Sequence, residues 1–213
     1  MPRARRRRPD VDGSVLRWPG AVAKFALFGE VLWVGVLMAI VSLPLVTWPA
    51  AVAAGSAHLR RYVHAEATPA SGFFRDARAA LPGALGVGAA SLALAGVIGM
   101  DLALSAGGAL PQTAARIVAV VAVAVGAGAL TLMLTAASLW SPGARWRELM
   151  RVAPRVVRAD VSGAAYTLVA VTLAAVVTWQ FLPLAIPAAG LVAFALVAIG
   201  ERRLVRLTNA AAG

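Results

Sequence analysis

The chain has 213 residues, of which 61% are hydrophobic and 14% charged, with mean hydropathy +0.81. Soluble domains carry about 25% charged residues, so this composition excludes an ordinary soluble fold and points to lipid as the solvent. The net charge of +11 comes from 19 Arg and one Lys against nine acids; because the cations sit at the ends of apolar runs, they read as topology determinants and argue against a nucleic-acid partner. With no Cys, the chain has no disulfide, no thiolate chemistry and no Cys-ligated metal.

In chain order, residues 1–20 form a basic, Pro-containing arm without core-forming content, expected to be disordered. The first apolar span runs from about Val22 to Leu45, too long for a signal-peptide core, and is expected to be a retained helix. Pro44 and Pro49 bracket a turn, since proline disfavours a helix through itself and through the residue before it. A second segment, Ala50 to about Val63, is short for a crossing and ends in Arg60 and Arg61. After a polar stretch from His64 to Arg78, spans are expected at about Leu81–Leu104 and Thr113–Trp140. Residues 141–160 read as a basic, helical connector carrying Arg145, Arg147, Arg151, Arg155 and Arg158. Two more spans, about Val161–Phe181 and Leu184–Gly200, turn at Pro183 and Pro187. Residues 21–206 are thus one membrane domain, and 207–213 a tail.

Cation placement sets the topology. If all six segments cross, the connections at Pro44–Pro49, Ser105–Gln112 and Gln180–Pro187 carry no Lys or Arg, and only Arg116 falls on their side. Positive charge is retained in the cytoplasm. The expectation is therefore an all-α, polytopic helix bundle with six transmembrane segments, both termini cytoplasmic, in the plasma membrane. A short echo of Leu43-Pro44-Leu45 at Leu182-Pro183-Leu184 marks the two proline turns; biased composition explains it more readily than a duplication.

The run from Lys24 to Leu81 (FALFGEVLWVGVLMAIVSLPLVTWPAAVAAGSAHLRRYV, then GFFRDARAALPG) resembles the YesL-like family of bacterial integral membrane proteins. The shared features are a span ending in Leu-Pro-Leu-Val-Thr, a small-residue helix ending in basic residues, and a Phe-rich segment before the next span. That family is a domain of unknown function. The resemblance implies a setting, as an accessory to carbohydrate uptake, and no mechanism.

Few charges need another account. Glu30 sits inside the first span, where a carboxylate costs on the order of 3 kcal/mol, so it is either an ion or proton site facing the bundle or a group paired with Lys24 or a connector Arg near the interface. Asp101 and Arg116 flank the neutral loop at one level of a helical hairpin and are candidates for a bridge. His58 and His64 are about 600° apart on a helix and cannot share a metal; His58 is expected to pack near Arg61 and His64 to be solvated. Arg60, Arg61 and the connector arginines are candidates for contact with anionic lipids or with a membrane transporter as partner. The glycines of the third and fourth spans suggest close helix approach. No catalytic triad, paired carboxylates, phosphate loop or cofactor motif is visible, so no enzyme and no cofactor is expected. The alternative to an accessory role is a small transporter or channel, with Glu30 near Thr131, Thr135, Thr172 or Gln180; a weaker third is a lipid-binding scaffold with lateral apolar grooves.

Overall fold

The computed structural model describes residues 24–108 and 111–212. The arm at 1–20 lies outside the described residues. Among the described residues, seven α-helices follow in order: α1 (Lys24–Ser42), α2 (Trp48–Val63), α3 (Ala70–Ala106), α4 (Gln112–Ser138), α5 (Trp146–Ala159), α6 (Val161–Gln180) and α7 (Ala185–Ala212). A single 3-10 turn, Leu182–Leu184, joins α6 to α7. Among the described residues there is no strand. Lys24–Ser42, Ala70–Ala106, Gln112–Ser138, Val161–Gln180 and Leu182–Arg206 are long and apolar enough to cross a membrane.

The bundle is built around the segment that looked weakest as a span. At 16 residues α2 is about 24 Å long, short of a hydrocarbon layer of about 30 Å. Yet it is the most enclosed helix: every residue from Pro49 to Leu59 is buried. It packs against α1, α3, α4 and α7. Its sequence explains this, because Ala50, Ala51, Ala53, Ala54, Gly55, Ser56 and Ala57 leave room for backbones to close in from every side. Four of the five long apolar helices therefore surround a short, small-residue centre, with α6 outside them, and a sixth crossing is not established by length or composition.

Glycine contributes at two crossings. A Cβ on Gly35 of α1 would strike the carbonyl oxygen of Ile186, and one on Gly190 of α7 would strike that of Val31. The two backbones are thus in reciprocal contact. On α3, Gly88 admits the carbonyl of Val46 from the α1–α2 turn, and Gly83 admits the ring of Trp146. Gly126 touches Ile98, but Gly86, Gly96, Gly99 and Gly128 have nothing within 4 Å. Close approach accounts for only part of the glycine content expected to serve it.

The pairings between helices fix two ends. Arg61 of α2 meets Asp76 of α3, His64 meets Glu201 of α7, Arg60 meets the carbonyl of Ser138 on α4, and Trp146 of α5 donates to Ala80 of α3. These gather the start of α3, the ends of α2, α4 and α7, and all of α5 at one basic end. At the other end the helices are staggered. Trp48 Nε1 donates to Ser91 Oγ at 2.8 Å, and from Ser91 α3 continues to Ala106, about 22 Å beyond the start of α2.

Candidate functional site: a polar layer at the basic end

Glu30 and His58 are the deepest ionisable pair. Oε1 of Glu30 lies 2.6 Å from Nε2 of His58, whose side chain is fully buried. The partner is thus neither Lys24 nor a connector arginine; a histidine on the adjacent helix took the place because α2 packs its whole circumference. Arg61, one turn on from His58, pairs with Asp76. The His58 ring meets Phe73 edge-on at 6.2 Å, and its Nδ1 has no hydrogen-bond partner among the described residues.

One turn towards the basic end, Arg61 and Asp76 form a 2.6 Å ion pair with the carboxylate buried. His64, expected to be solvated, is indeed exposed yet reaches Glu201 at 3.1 Å. The largest cluster centres on Asp160, the N-cap of α6. Its carboxylate accepts from the backbone N–H of Gly163 at 3.0 Å, from Ser162 Oγ at 2.9 Å, from Arg202 at 3.0 Å and from Arg203 Nε at 2.8 Å, with Arg206 at 3.4 Å. Burial alone would push this carboxyl up. The hydrogen bonds from Arg203, Gly163 and Ser162, together with the charge of Arg203, outweigh it and hold the group well below the usual carboxylate range. Sequence inspection missed Asp76, Asp160 and Glu201. Their signal was available: each lies within two residues of an arginine.

Asp101 and Arg116 behave otherwise. Asp101 is half-buried, Arg116 is exposed, and no ion pair joins them. The four threonine and glutamine positions expected beside Glu30 do not converge on it. Thr131 donates to its own helix at Ala127, Thr135 lies buried on α4, and Thr172 and Gln180 are exposed.

The connector arginines have a geometry of their own. Arg145 precedes α5, and Arg147, Arg151, Arg155 and Arg158 lie within about 80° of one another around it. All five are exposed, and none enters an ion pair among the described residues. The opposite side of α5 buries Trp146 and Ala153. Trp146 Nε1 donates to the Ala80 carbonyl at 2.8 Å, just before Pro82 in α3. This anchor sets the helix across the basic end with its cations outward.

Among the described residues, no group of three or more His, Cys, Asp or Glu could hold a metal. The fold and the polar layer define a class: a multi-pass, helical membrane protein whose ionisable groups gather at one end. No family model matches the chain, and no curated protein or solved structure matches it.

Proposed function

We propose that this chain is a non-enzymatic accessory of the plasma membrane that docks an acidic partner on its basic end. Six segments with both termini cytoplasmic fit the cation distribution: α1 and α2 leave the basic end and return to it, α3–α4 and α6–α7 do the same, and the arginines other than Arg116 stay inside. The observation that carries the reading is α5. Four exposed guanidiniums in one row, unpaired among the described residues while Arg61, Arg202 and Arg203 are engaged, form a surface suited to an acidic partner. The flanking cations also suit anionic headgroups. The resemblance of Lys24–Leu81 to YesL-like proteins supplies the setting, so the partner expected is a carbohydrate-uptake transporter.

A photo-crosslinker at Val152, exposed on α5, should capture a membrane protein in intact membranes. Replacing Arg147, Arg151, Arg155 and Arg158 together by Gln should abolish the crosslink. Recovery of self-contacts alone would sink the reading. One observation favours a small transporter instead, namely the pairing of Glu30, partly exposed inside a span, with the fully buried His58. Flux into proteoliposomes that Glu30→Gln removes would establish that alternative; no flux in the unaltered protein would remove it.

A further inference from the structure

The Asp160 cluster holds more cation than its own carboxylate neutralises. Three guanidiniums meet one carboxylate, a surplus of two positive charges. The three are not equivalent. Arg203 is the inner one, its side chain 14% exposed, whereas Arg206 is 58% exposed and reaches Asp160 only at 3.4 Å. Arg202 lies over the ring of Tyr166, 4.9 Å from its centroid. Both Arg202 and Arg206 also reach Ser162 Oγ, at 3.1 and 3.4 Å. Nε of Arg202 is shielded and has no acceptor among the described residues. A phosphate oxygen would satisfy what Asp160 leaves over.

The same seam continues as an apolar groove. On α6, Ser162, Tyr166, Ala170, Leu173 and Val177 fall within about 80° of one another; on α7, Ala188, Leu191, Arg202 and Arg206 fall within about 60°. Ala170, Leu173, Val177, Ala188 and Leu191 line a groove of about 340 Å³ with almost no polar wall. It begins about 12 Å along α6 from Ser162 and reaches about 22 Å, the range an acyl chain covers below its headgroup. The seam lies at the margin of the bundle, since α6 packs mainly on α7 and only lightly on α4 and α5.

We propose that the α6–α7 seam binds one anionic phospholipid, its phosphate held by Arg202, Arg206 and Ser162 and one acyl chain lying in the groove. A free phosphate shares the headgroup chemistry but leaves the groove empty, and a zwitterionic lipid brings a cation of its own to the arginines. The site is separate from the α5 surface and stands whether or not a protein partner docks there.

Native mass spectrometry of the full chain in detergent, titrated with phosphatidylglycerol and with phosphatidylcholine, tests this without any variant. One phosphatidylglycerol per chain should be retained in preference to phosphatidylcholine; equal retention overturns the proposal. The double variant Arg202→Gln/Arg206→Gln, which leaves Arg203 on Asp160, should weaken phosphatidylglycerol about thirtyfold. Ala170→Phe, which fills the groove and alters no charge, should weaken it as well. Unchanged affinity in either variant, displacement of the lipid by inorganic phosphate, or equal loss in Arg151→Gln/Arg155→Gln would overturn it.

Discussion

Asp160 shows how a single acidic residue can organise this protein. It caps α6 through the Gly163 N–H and ties that helix to α7 through Arg202 and Arg203. Asp160→Asn keeps the cap but leaves the arginines without their anion, and removing one member of a buried charged set costs about 3 kcal/mol. Because the folded carboxyl titrates below its unfolded value, its contribution is complete above the ordinary carboxylate range, about pH 4, and is lost as pH falls through the folded value. The difference in thermal midpoint between the native chain and Asp160→Asn in detergent should therefore be constant from neutral pH down to that point and shrink below it. A difference that already fades near neutrality would contradict this account. Glu30 was legible in the sequence as a charge out of place. Its partner was not, because helical spacing says which residues share a face but not which helix that face will meet.

For the helices, legibility followed hydropathy. The spans at Thr113–Trp140 and Val161–Phe181 agree with α4 and α6 to within two residues at each end. The third begins eleven residues earlier than Leu81, because Arg75 and Arg78 look polar in sequence but occupy the outer side of a helix whose inner side buries Phe73, Asp76 and Ala77. The position of α2 was missed for a physical reason: short length and modest hydropathy argue for a marginal span, whereas its small side chains are what a completely enclosed helix requires. Of the glycines at close approaches, Gly83 and Gly88 lie in the third span, but the reciprocal pair Gly35 and Gly190 lies outside the Gly-rich third and fourth spans. Gly190→Ala should drive Val31 and its helix outward, costing about 1–3 kcal/mol by the usual overpacking penalty. Gly35→Ala acts on the same crossing, so the double variant should lose less than the sum of the two. Thermal midpoints of all three in detergent measure this, and strict additivity would mean that the two glycines do not share one contact.

For the molecule as a whole, the informative feature is the unequal reach of its hairpins. The α1–α2 turn stops at the level of Gly88 and Ser91, while α3 and α4 continue past it with Val97, Met100, Ile117 and Val120 exposed. Apolar surface of that extent belongs in lipid, and along it the start of α2 stops about 22 Å short of Ala106. The absence of cysteine makes this directly measurable. In intact cells an impermeant maleimide should label Ala106→Cys and, if six segments cross as proposed, Leu43→Cys as well, whereas a cysteine at Thr208 should react only after the membrane is opened. Labelling of Leu43→Cys would show that the short α2 makes a complete sixth crossing. The parity of the topology is the same in both cases, because a hairpin that penetrates and one that emerges both return the chain to the side it left. Counting cations could therefore orient the chain without revealing how deep its first hairpin goes.

The enclosure of α2 also has a consequence in time. Its neighbours are far apart in sequence: α1 precedes it, α3 and α4 follow, and α7 begins more than 120 residues after α2 ends. Until α7 arrives, His64 lacks Glu201 and one flank of the alanine helix has only lipid beside it. The centre of this protein is written well before it can be completed. Its assembly must therefore wait for α7, and a chain interrupted before Ala185 would present an unfinished middle to the quality-control machinery of the membrane.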